Sequence, residues 1–175
     1  MIHEPTISFL ALHLRKGGCE QYIANWSIKT ILFTLGEFAN DSTRGAGLRL
    51  SHPKVRKIAS QWMSDCAIPM MSPLIILIGN GSSFRASESF PESGFGMLNL
   101  PLLEIIDVCD GVHRVAAIKL LDLSNDFMVS TEWPVEIIVC NDPTDAAQLV
   151  QRIRNEPFTN KVTVTLKASK PLTNE

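Results

Sequence analysis

Ile105-Ile106-Asp107-Val108-Cys109-Asp110-Gly111-Val112-His113-Arg114-Val115-Ala116-Ala117-Ile118 is the stretch on which the reading of the fold turns. Its first five residues make an apolar run of strand length that ends in Asp-Gly, and Val115, Ala116, Ile118, Leu120 and Leu121 follow as a mostly apolar helix. The expectation is a buried strand handing over to a largely buried helix from Gly111 to about Leu123. A helix start carries unpaired backbone N–H groups and the positive end of the helix dipole. Gly111, His113 and Arg114 at that start therefore form a candidate phosphate-binding corner. Asp110 has two readings there: a catalytic group that contacts Mg²⁺ or acts as a base beside a phosphate, or a plain helix N-cap. The bland reading of His113 and Arg114 is a surface pair, with Arg114 matched to Asp107 or Glu104.

Working outward, Thr6 to Leu14 suggests a strand, Arg15-Lys16-Gly17-Gly18 a turn, and Glu20 to Ala24 the second arm of a hairpin. Ser27 is placed to cap a short helix through Leu35, and residues 40–47 read as loop. The cleanest helix follows: Ser51 caps it, Pro53 fits its first turn, and Val55, Ile58, Ala59, Trp62 and Met63 share one face. Its other face carries Lys54, Arg56 and Lys57, just after Arg44 and Arg49. Five of the sixteen Lys and Arg residues thus fall within fourteen positions, the one basic concentration in the chain. Leu74 to Ile78 is an unbroken aliphatic run expected as a central strand. Residues 82–96 read as loop or irregular hairpin, Met97 to Val108 as one or two strands broken near Pro101, and Trp133 to Cys140 as a core strand. Asp142 and Pro143 open a helix through Ala146, Leu149, Val150 and Ile153. Residues 161–167 alternate as a half-exposed strand before a frayed tail to Glu175. Trp26, Trp62 and Trp133 are expected in the core, and Glu20, Glu37 and Asp41 as surface charges.

A 175-residue chain that is 45% hydrophobic can bury one core, and a net charge of −2 excludes a wholly basic nucleic-acid coat. No secretory signal and no apolar run of membrane-spanning length is apparent, so a cytoplasmic location without membrane contact is expected. Cys19, Cys66, Cys109 and Cys140 lack the paired spacing of a zinc site, so no metal site is expected and buried free thiols are the simpler reading. The element order is mixed and closer to α+β than to regular βαβ winding.

Asp110-Gly111-Val112-His113-Arg114-Val115-Ala116-Ala117-Ile118 resembles the signature of the DGQHR-domain family, which includes the DndB-type proteins of bacterial DNA phosphorothioation systems. Val55-Arg56-Lys57-Ile58-Ala59 resembles the family's basic helix. Pro73 to Ile78, Phe84, Gly96-Met97-Leu98 and Ile105-Ile106 fall in the family's order, and Val135 to Asn141 resembles its next strand. The resemblance covers most of residues 9–160. It implies a DGQHR/ParB-like domain over residues 1–160, with a terminal strand and tail over 161–175. The implied fold is a ParB/sulfiredoxin-like mixed sheet with packed helices, in which Gly111, His113 and Arg114 occupy the turn that holds nucleotide phosphates. Two departures stand out. Val112 replaces the family's Gln, and Val150-Gln151-Arg152-Ile153-Arg154-Asn155 stands where DndB-type proteins carry an Asp-Leu-Asn-like stretch and continue into a long helical part. Sulfiredoxin-like chemistry requires a cysteine immediately before the His-Arg pair, so Val112 excludes it.

Three functions follow as expectations. The first is a DNA-binding regulatory or accessory protein of a DNA-modification or defence system, acting in transcriptional regulation, with Arg44, Arg49, Lys54, Arg56 and Lys57 contacting DNA phosphates. A homo-oligomer or a partner protein is compatible with it. The second is a nucleotide-dependent enzyme, an NTPase or small-molecule phosphotransferase using ATP or CTP with Mg²⁺. The third is an interaction domain that has lost its ligand.

Overall fold

The computed structural model describes residues 5–16, 19–39, 50–64, 72–121 and 131–142, together with Asp145, Ala146, Gln148, Leu149 and Gln151. Seven strands, β1 (Thr6–Lys16), β2 (Cys19–Ser27), β3 (Leu74–Ile78), β4 (Ser83–Ala86), β5 (Phe95–Pro101), β6 (Ile105–Asp110) and β7 (Glu132–Val139), form one mixed sheet ordered β4-β5-β1-β2-β7-β3-β6. All neighbours are antiparallel except β3 and β7, which run parallel beside the edge strand β6. Three helices whose bounds fall among the described residues, α1 (Ile28–Leu35), α2 (His52–Ser64) and α3 (Val112–Leu120), pack with the sheet in an α+β domain.

Period-two alternation sorts the strands' side chains between the two faces. Tyr22, Ala24, Trp26, Leu74, Ile76, Ile78, Leu98, Leu100, Trp133, Val135, Ile137 and Val139 meet the apolar stripes of all three helices in the main core. Leu77, Cys109, Ile138 and Cys140 point to the other face, where Ala146 and Leu149 of a helical segment cover them. Cys109 and Cys140 are buried free thiols. Trp26, Trp62 and Trp133 lie in the core as their apolar contexts require, with Trp62 and Trp133 packed ring to ring at 5.4 Å.

α1 begins where Ser27 Oγ accepts the Thr30 amide at 3.1 Å, a cap typically worth about 1 kcal/mol. Pro101 ends β5, and a 3-10 turn at Leu102–Glu104 re-aims the chain into β6, which is the break expected at that proline.

Four expectations need correction. Of the two readings of 82–96 the plain loop is the one corrected: the irregular hairpin holds, with edge strand β4 antiparallel to β5 and Phe84 inward against Leu98. Met63 is exposed rather than on the packed face of α2, since the stripe of Val55, Ala59 and Trp62 already meets the sheet. α3 ends at Leu120, and Leu120 is exposed, so that helix is shorter and less buried than its composition suggests. Asp110 closes β6 and is not the N-cap; Gly111 is, and no side chain caps α3. Part of the 142–153 helix, the 161–167 strand and the tail lie outside the described residues.

Candidate functional site

β6 delivers Asp110-Gly111 to the edge of the sheet where β3 begins, with Asp110 opposite Ile75 in the ladder. Gly111 turns the chain at φ 100°, and a Cβ there would collide with Leu74 Cδ2. Only glycine fits both the backbone angle and the close approach. Its carbonyl accepts the Arg114 and Val115 amides, while the amides of Val112 and His113 have no acceptor among the described residues. Val112 points into the core at 6% exposure, so an apolar side chain is what this position now holds.

Arg114 is turned inward and only 12% exposed. Its guanidinium donates to the carbonyls of Ser72 and Pro73, the latter at 3.1 Å, and to Asp110 Oδ2 at 3.0 Å. Burial lowers its pKa, and Asp110 opposes that shift. The planar fork thus ties the run into β3 to the start of α3. The partner is Asp110, not Asp107 or Glu104; Glu104 instead accepts the Gly81 amide at 3.2 Å.

His113 points the other way, toward α2. Its Nε2 accepts the Ser51 backbone N–H at 3.1 Å, which requires a ring with its proton on Nδ1. Burial lowers the His113 pKa first, nearby Lys54 lowers it further, and Asp110 raises it. The neutral imidazole is therefore favoured. Through this bond the beginnings of α2 and α3 lie side by side, and Lys54 reaches the motif. Farther along the seam a shallow groove of about 290 Å³ is lined by His52 and Arg56 of α2 and by Ala116, Lys119 and Leu120 of α3. Lys119 Nζ also donates to the Gly36 carbonyl at 3.2 Å.

Of the expected site residues, the structure brings together Asp110, Gly111, His113, Arg114 and Lys54, and sets Arg56 in the adjoining groove. Lys57 lies exposed on α2, and Arg44 and Arg49 fall outside the described residues. No group of three or more His, Cys, Asp or Glu side chains suited to a metal occurs among the described residues, and none of their helices is long and apolar enough to cross a membrane.

A second cluster escaped sequence reading. His13, Tyr22 and Phe84 pack ring against ring, with centroids 4.9 Å (His13–Tyr22), 5.1 Å (His13–Phe84) and 5.4 Å (Tyr22–Phe84) apart. Tyr22 Oη donates to Glu20 Oε1 at 2.7 Å, and His13 Nε2 lies 3.1 Å from the same oxygen. Glu20 is thus part of a built cluster rather than a plain surface charge. The available signal was the hairpin: the β1–β2 register sets His13 directly opposite Tyr22, and strand alternation puts Glu20 on the same face. Comparison with known proteins finds no matching protein family, no matching curated protein and no matching solved structure.

Proposed function

We propose that the chain is a divergent DGQHR-type, ParB/sulfiredoxin-like domain that binds DNA through the α2–α3 seam, as an accessory or regulatory component of a DNA-modification or defence system. The observation that carries this reading is the Ser51 N–H to His113 Nε2 bond, which couples the basic helix to the signature turn. It aligns Lys54, His113, His52, Arg56 and Lys119 along one seam and leaves Lys57 one turn beyond Lys54. Convergent cations are what phosphate backbones require, and the overall charge of −2 restricts the contact to this local surface. The family part of the reading rests on Asp-Gly-x-His-Arg standing at a strand-to-helix junction.

The roles within the motif are redistributed relative to the sequence expectation. Arg114 is committed to Ser72, Pro73 and Asp110, so the phosphate contacts pass to the Val112 and His113 amides, Lys54 and Arg56. A nucleotide phosphate would use the same amides. Asp110, held by Arg114, serves the clamp and not a reacting group.

Mobility shift on duplex DNA across a salt series tests the proposal. Each neutralised phosphate contributes about 0.9 to the slope of log affinity against log salt. Replacing Lys54, Arg56 and Lys57 together by Ala should flatten that slope by about 2 to 3. Absence of any shift at low salt, or an unchanged slope in the triple variant, overturns it. Calorimetry with ATP and CTP, with and without Mg²⁺, reports whether a nucleotide shares the corner.

A further inference from the structure

The parallel strands β3 and β7 end at Ile78 and Val139, at the end of β3 opposite the Asp-Gly-Val-His-Arg turn. A cavity of about 530 Å³ opens there, within the usual range for a small-molecule site. Its lining includes His13, Glu20, Tyr22, Phe84, Asn80 and Asn141.

The chemistry of that lining is specific. It holds one carboxylate, three clustered aromatic rings and two side-chain amides, and no Lys or Arg is among its described lining residues. A phosphate would meet the Glu20 carboxylate with no described lysine or arginine beside it. Both described contacts of Glu20 fall on Oε1, so Oε2 has no hydrogen-bond partner among the described residues. His13 Nε2 is buried 3.1 Å from Oε1, so the open acceptor at the cavity is Glu20 Oε2, which a donor bearing positive charge satisfies. Aromatic rings beside a carboxylate add attraction for the same kind of group.

We propose that this cavity is a binding site for a small organic cation with N–H donors, a guanidinium or primary ammonium. The cation pairs with Glu20 Oε2 and lies against the Tyr22–Phe84 rings. Asn80 and Asn141 hydrogen-bond its remaining polar groups. The site is independent of the α2–α3 seam, and the DNA-binding reading can fail without affecting it.

Agmatine, which carries both groups, is the probe. Titration into the full chain is followed by the NMR signals of His13 and of Tyr22, the only tyrosine in the sequence. The expected result is saturable shifts at both rings, weakened at least tenfold by Glu20→Gln and at least threefold by Phe84→Leu. Unchanged amide spectra away from the cavity would show that both variants are folded. Inorganic phosphate and adenosine should leave the two rings unmoved. Absence of any saturable shift with agmatine is the opposing outcome. That outcome overturns the proposal, as does equal binding by Glu20→Gln or a shift of both rings by phosphate or adenosine.

Discussion

Arg114→Ala separates a structural clamp from a phosphate ligand. In the folded protein its guanidinium spans two backbone carbonyls and one carboxylate while only 12% exposed. A hydrogen bond from a charged donor is worth about 1.5–3 kcal/mol when its loss leaves the partner unsatisfied. Ser72 and Pro73 are exposed residues, so water can reach their carbonyls and the lower end of that range applies to each. Asp110, 58% exposed, adds at most about 1 kcal/mol as a surface ion pair. The sum predicts a loss of about 3–4 kcal/mol, measured by urea unfolding at neutral pH. Arg114→Lys should recover less than half, since a single ammonium cannot reproduce the planar fork. Asp110→Asn should cost under about 1 kcal/mol. A loss below about 0.5 kcal/mol in Arg114→Ala, with phosphate or DNA binding abolished, would refute the clamp and restore Arg114 as a ligand residue.

Three further outcomes are expected at the same junction. Gly111→Ala combines a left-handed backbone angle with a collision against Leu74 and should cost at least about 2 kcal/mol in thermal or chemical unfolding; a cost near zero would show that the turn relaxes. Val112→Gln, which recreates the family residue, buries an amide in the core and should destabilise by about 1–3 kcal/mol; a stabilised variant would mean that the side chain finds a partner at the surface. The lowered pKa of His113 makes its neutral form the one that favours folding. Its contribution is fully present above the unfolded value of 6.5 and is lost as pH falls through the depressed folded value. Wild type should therefore lose stability relative to His113→Gln as pH falls below 6.5, with faster hydrogen exchange at the Ser51 amide. Parallel stability curves would contradict this.

Local patterns in the sequence carried much of the architecture. The aliphatic run Leu74–Ile78 and the stripe of Val55, Ala59 and Trp62 each state their element through one periodicity, and both elements stand where that periodicity puts them. Edge strand β4 was legible only as one arm of an irregular hairpin, because one of its four residues, Phe84, turns toward the core. The role of Arg114 was illegible for a different reason. Two of its three partners are backbone carbonyls some forty residues upstream, and no side-chain pattern advertises a carbonyl. His113 was visible as a motif residue, but its acceptor role depends on where α2 begins. Glu20 looked solitary because its neighbours His13 and Phe84 come from other strands, and even Tyr22 is meaningful only once the hairpin register is known.

The position of β7 governs how the molecule is made. It is the last of the seven strands in the sequence, yet it lies inside the sheet, between β2 and β3. Until residues 132–139 leave the ribosome, the nascent chain has two separate pieces, β4-β5-β1-β2 and β3-β6, each with a bare edge. Those edges can pair with other chains. Closure is then a late, long-range event that zips both pieces onto one strand, which favours slow folding and a need for protection during synthesis.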